Sequence, residues 1–88
     1  MFAIYDEAHA ELQDGRFRTR QQAIAELQRR AAIPWDEEPN RAPCTNWQNC
    51  GRRYELVEYD ERTLPWIELS RCLALDISVA GAQWVIEV

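Results

Sequence analysis

Residues 72–79 alternate strictly, with Leu73, Leu75, Ile77 and Val79 on one parity and Cys72, Ala74, Asp76 and Ser78 on the other. A period of two marks a half-buried strand, because successive side chains point to opposite sides of the chain. Ala80-Gly81-Ala82 then reads as a three-residue turn, with a glycine available for a positive φ. After it, Trp84, Ile86 and Val88 fall on one face of a second strand. The segment 72–88 is therefore expected to be a β-hairpin. A hairpin with one apolar face needs more strands and a cover, and the rest of the chain must supply them.

The cover is legible at Thr19. Gln22 stands three residues on, giving a T-x-x-Q capping box. Ala23, Ile24, Leu27 and Ala31 form an apolar stripe at helical spacing. Glu26 and Arg30 are an i, i+4 pair in the favourable order. Arg29 and Arg30 suit the negative end of the helix dipole. Pro34 disfavours the α conformation at the residue before it. The pattern predicts one amphipathic helix over about 20–32.

Phe2-Ala3-Ile4-Tyr5 and Arg53–Tyr59 have strand character. Residues 7–14 fit either a helical turn or a loop returning to a second strand, and 65–70 fit either a strand or a helical turn. The sum is a single α+β domain over 1–88: a two-layer arrangement of one helix on an antiparallel sheet of four to five strands. At 88 residues the core is small. Four tryptophans must fill much of the volume that a thin helix stripe leaves.

No apolar run approaches the length that spans a bilayer, and the N-terminus lacks the basic start of a signal peptide. Three cysteines and no glycosylation sequon fit a reducing cytoplasm. All ten basic residues are Arg, as a GC-rich bacterial coding sequence tends to produce. The net charge is −5, and residues 54–88 carry seven acids against two Arg. That imbalance disfavours nucleic acid and makes a basic partner surface electrostatically easier; a protein partner or a second copy of the chain is the expected class of partner.

The segment Ile33–Arg53 has neither period. It holds three of the four prolines, Trp35 and Trp47, and Cys44 and Cys50. Long irregular segments are usually functional or disordered, and its aromatics argue for packing. Trp35, Trp47, Arg52 and Arg53, with Arg16 and Arg18 from the strand-like 16–18, are the candidate binding residues. Arg and Trp recur at interface hot spots, and Arg recognises anions bidentately. The plainer role for these arginines is to balance the acids of the C-terminal strands.

Phe2–His9 resembles the strand and D-E-A-H signature of DEAH-box helicases, which implies Mg²⁺ bound beside a phosphate-cradling loop. That loop needs G-x-x-x-x-G-K-[ST], and the chain has no Lys. Asp6, Glu7 and His9 are then a polar strand end. Cys44 and Cys50, with five residues between them, do not have the C-x₂₋₄-C spacing of a zinc knuckle. Their residues favour reduced structural thiols over a disulfide, and a disulfide over a metal site with His9. No catalytic motif stands out and no cofactor is implied. The expectation is a protein-binding or self-associating module using 33–53, not an enzyme; the alternative is a small-ligand or metal/thiol site of Cys44, Cys50 and His9.

Overall fold

The computed structural model describes residues 1–88, except for the side chains of Asn46 and Trp47. Five strands form one antiparallel sheet: β1 (Phe2–Asp6), β2 (Glu11–Leu12), β3 (Arg52–Asp60), β4 (Ile67–Ser78) and β5 (Gly81–Trp84). Their spatial order is β2-β1-β3-β4-β5. Helix α1 (Arg20–Ala31) lies on one face, against β1 and β4. The expected α+β architecture is the observed one.

Helix α1 forms where its caps dictate. The Gln22 amide donates to Thr19 Oγ1 at 3.1 Å, and the Gln22 side chain accepts from the Arg18 amide at 3.0 Å. Ala23 and Leu27 are fully buried against Ile4, Tyr54, Leu56, Leu75 and Ile77. Trp35, Trp84, Phe2 and Phe17 close the margins of this core. Burial of apolar area at about 25 cal/mol per Å² is the main force holding the two layers together.

Two open local alternatives are resolved and other expectations change. Residues 7–14 loop back to β2 and make no helix, while 67–70 belong to the long strand β4. The β4–β5 link is Val79-Ala80 rather than 80–82: Ser78 pairs with Gly81, whose φ of 106° only glycine adopts freely. Val79 therefore sits exposed in the turn, and Val88 lies past the end of β5, also exposed. Tyr54 and Glu55 on β3 face Leu75 and Leu73 on β4, so Ala74 is an extra residue. Such a bulge re-aims side chains, and Ala74 is buried in the core despite its polar parity. Arg16–Arg18 makes only a single bridge, Phe17 to Phe2, and no strand.

The 33–53 segment is ordered by polar contacts. Asn40 is wholly buried and its amide donates to the carbonyls of Arg30 and Ile33, each at 2.9 Å. Tyr54 Oη donates to Asn40 Oδ1 at 2.9 Å. These bonds tie the segment to the end of α1 and the start of β3. A one-turn helix, α2 (Thr45–Gln48), interrupts it.

Candidate functional site

The site forms where the end of β1, the start of β3 and the α2 turn meet. Cys44 precedes α2 and Cys50 follows it. Asn49 takes a left-handed conformation, φ 53°, which reverses the chain after one turn. Buried Thr45 locks the reversal: its Oγ1 accepts from the Ala42 amide at 2.7 Å and donates to the Cys50 carbonyl at 2.9 Å. Cys44 and Cys50 are thereby held 5.7 Å apart at Cα and are joined by a disulfide. This corrects the expectation of reduced thiols. The local reason is the Asn49 reversal, which strand or helix spacing does not encode. Cys72 is free and exposed.

His9 reaches the same place from the link between β1 and β2. Its Nε2 is 3.2 Å from Cys44 Sγ, and its Nδ1 is 2.7 Å from Asp6 Oδ2. An ionised carboxylate only accepts, so Nδ1 carries the proton and Nε2 is turned to the sulfur. Next to His9, Ala10 has a φ of 51°, a conformation costly for a residue with a Cβ. The strain sits in the short link that swings the imidazole toward the cysteines.

Asp6 is the hub. Its Oδ1 accepts from the Ala8 and Arg53 amides, both at 3.0 Å, and its Oδ2 accepts from Arg52 Nη1 at 2.9 Å. Arg52 is also buried and spreads its remaining donors over the segment, to the carbonyls of Asn40 (3.2 Å) and Arg41 (2.9 Å), and to Glu11 (3.3 Å). Burial works against the Arg52 charge, but the hydrogen bond to Asp6 and the charges of Glu11 and Asp6 outweigh it, holding the guanidinium above its ordinary pKa. The chain Arg52–Asp6–His9–Cys44 therefore runs from the interior to the half-buried sulfur. With the bridge open, Cys44, His9 and Asp6 would stand in the order of a thiol, a base and the carboxylate that orients it.

A shallow cleft of about 270 Å³ opens beside it, lined by His9, Cys50, Gly51, Arg53 and Asp76 among others. Gly51 is obligatory there, since a Cβ would run into the Ile77 carbonyl. Cys50 faces this cleft, while Cys44 faces His9.

The other residues singled out in the sequence do not converge. Arg52 is internal and binds Asp6. Arg53 is half-exposed, 3.4 Å from Glu7 and 3.9 Å from Asp76. The Arg16 guanidinium lies 4.5 Å above the Trp66 ring, and Arg18 is exposed at the start of α1. Trp35 is half-buried against the core, and the Trp47 side chain lies outside the described residues. The arginines thus form no common anion grip. His9, Cys44 and Cys50 are brought together, with their donor atoms all within 4.8 Å of one another. Asp6 was missed as a site residue. Its signal was present as the first acid of the DEAH stretch, three residues before His9 at a strand end. No helix among the described residues is long and apolar enough to cross a membrane. No family model, curated protein or solved structure matches the chain at a significant level.

Proposed function

We propose that the protein is a thiol–disulfide redox protein whose working pair is Cys44 and Cys50. The observation that carries this reading is the imidazole of His9, held by buried Asp6 and aimed at the Cys44 sulfur. A bridge that only stabilises needs no oriented base beside it. The bridge removes the reduced-thiol ground for a cytoplasmic setting, so this reading rests on the oriented imidazole and not on the compartment.

The exchange runs as follows. In the reduced protein, Cys50 faces the cleft and attacks a disulfide R–S–S–R′ as thiolate. A mixed disulfide, Cys50–S–S–R′, forms and RS⁻ leaves, taking up from solvent the proton that the Cys50 thiol had released. His9 Nε2 takes the Cys44 proton, and the Cys44 thiolate attacks the Cys50 sulfur. The Cys44–Cys50 bond forms, R′S⁻ departs, and the proton passes from His9 to the leaving thiolate. Two electrons move from the protein to the partner disulfide, which becomes two thiols.

The test is equilibration in glutathione buffers of graded ratio, followed by alkylation and mass spectrometry. The expected result is one alkylated thiol, Cys72, in oxidising buffer and three in reducing buffer, with interconversion in minutes. Replacement His9→Gln should slow closure of the bridge at least tenfold. Three alkylated thiols at every ratio, or closure as fast in His9→Gln as in the parent, would overturn the reading.

A second reading, self-association, is supported by β4. Strand β5 pairs only with residues 75–78, which leaves the outer edge of 67–73 without a strand partner among the described residues. Ile67 and Leu69 on it are exposed. An open apolar edge is a template for another strand, and an antiparallel pair is self-complementary under a two-fold axis. This moves the expected association surface from 33–53 to β4. Sedimentation equilibrium should show a dimer that Leu69→Lys dissociates; a monomer at all concentrations would remove this reading.

A further inference from the structure

We propose that the reduced form binds a zinc ion through Cys44, Cys50 and His9, so that the disulfide and the metal are alternative occupants of one site. The proposal rests on reading Cys44 and Cys50 as a reversible pair, and adds what the open pair does.

The donor set is two thiolates and an imidazole, the combination that selects Zn²⁺ among common divalent cations. Zinc takes sulfur at about 2.3 Å and nitrogen at about 2.0–2.1 Å in a tetrahedron, which places neighbouring donors roughly 3.5–4 Å apart. Here the three donor atoms lie within 4.8 Å of one another, and His9 Nε2 is 3.2 Å from Cys44 Sγ. Once the sulfur–sulfur bond is cut, small side-chain rotations suffice. The backbone already supplies the convergence, through the α2 reversal and the β1–β2 link.

The surroundings fit as well. A zinc-ligating histidine usually donates its other ring N–H to a carboxylate, which fixes the ring and raises its basicity. Asp6 does this at 2.7 Å, and is itself fixed by Arg52 and by two backbone amides. Three protein ligands leave a fourth position, and the cleft beside His9 and Cys50 has room for a water there. Open positions of this kind belong to reactive zinc sites; closed structural sites have four protein ligands.

The chemistry balances with an external thiol reductant. Two reductant thiols reduce the bridge to two cysteine thiols and become a disulfide. Zinc then displaces the two thiol protons into solvent. Oxidation reverses the sequence: two electrons pass from the thiolates to an external disulfide, which becomes two thiols by taking two protons from solvent, the Cys44–Cys50 bridge closes and the ion is released.

The experiment uses the full chain as Cys72→Ser, so that every thiol counted belongs to the pair. Protein reduced with a phosphine is freed of reductant under nitrogen and titrated with Co²⁺, then with Zn²⁺. The expected result is one Co²⁺ per chain with a sulfur-to-metal charge-transfer band, displaced by one Zn²⁺, and no band from the bridged protein. His9→Ala and Cys50→Ser should each weaken binding at least tenfold, and Asp6→Asn by about 10–100-fold. His9 and Cys50 are only half-buried, so these two variants keep the test sound should Asp6→Asn fail to fold. Two alkylatable thiols without a Co²⁺ band would overturn the metal site and leave the redox reading intact. A Co²⁺ band in a protein that never forms the bridge would do the opposite. Binding that His9→Ala leaves unchanged would overturn the assignment of the ligands.

Discussion

The Asp6 carboxylate and the His9 imidazole are 2.7 Å apart, yet only the imidazole reaches solvent: Asp6 is 0% exposed and His9 19%. A charge at that depth persists only if it is paired and hydrogen-bonded. Asp6 has Arg52 on the inside and His9 on the outside, so one side chain serves both the fold and the site.

Arg52→Met should therefore be costly. It leaves the Asp6 carboxylate buried without its cation and frees the carbonyls of Asn40 and Arg41. Breaking one side of a buried pair costs about 3–5 kcal/mol, a large part of the stability of a small domain. Urea unfolding should show the midpoint falling with little change in slope. A loss under about 1 kcal/mol would mean that the pair is not the anchor of the 33–53 segment.

Asn40→Ala tests the same segment from its other side. The substitution strands the Tyr54 hydroxyl and the carbonyls of Arg30 and Ile33, all close to α1. Burial already pushes the Tyr54 hydroxyl above its usual pKa, against the pull of the Arg30 charge. An expected cost of about 2–3 kcal/mol follows from leaving buried partners unmade. Tyr54→Phe removes only one of these bonds and should cost about 1 kcal/mol. Equal losses in the two variants would count against Asn40 as the staple.

The sheet and α1 were legible because their signals are local. A capping box, an apolar stripe and a strict alternation each act within a dozen residues. The faults in that reading lie where a tertiary contact overrides a local pattern. The bulge at Ala74 turns a polar-parity residue into the core, and the tight Val79-Ala80 link shortens the turn. In 33–53, the expectation of packing held for Trp35, but the anchors are Asn40, Thr45 and Arg52. Polar residues in an irregular segment read as solvated until their buried partners are known. The site was half-legible. His9, Cys44 and Cys50 were singled out by type, but only the fold sets His9 beside Cys44 across 35 positions. Arg16, Arg18, Arg52 and Arg53 are not brought together, because charge in sequence carries no direction.

Acid should remove the contribution of Glu26 to stability. Its hydrogen bond to Arg29, opposed by partial burial and reinforced by Arg30, lowers its pKa from 4.5 to about 2. A carboxylate depressed in the folded state adds stability above its unfolded pKa. That contribution is lost as the pH falls from about 4.5 to about 2. Arg29 is well exposed, so solvent screens the pair and about 1 kcal/mol remains. Glu26→Gln should be less stable than the parent by that amount at pH 7 and equal to it near pH 2. A gap that persists undiminished at low pH would assign the effect to packing.

Reducing the Cys44–Cys50 bridge should lower stability modestly. The two cysteines are six positions apart, and closing so short a loop removes little entropy from the unfolded chain. The loop-entropy relation gives about 2 kcal/mol. The reduced protein should stay folded, because Thr45 still holds Ala42 and Cys50 together and the Arg52–Asp6 pair is untouched. Urea unfolding with and without a phosphine reductant, in a Cys72→Ser background, measures the difference directly. Retention of the fold matters for the proposed chemistry, since a redox pair must open without unfolding its scaffold. Cooperative unfolding on reduction alone would make the bridge structural and remove the basis for exchange at this site.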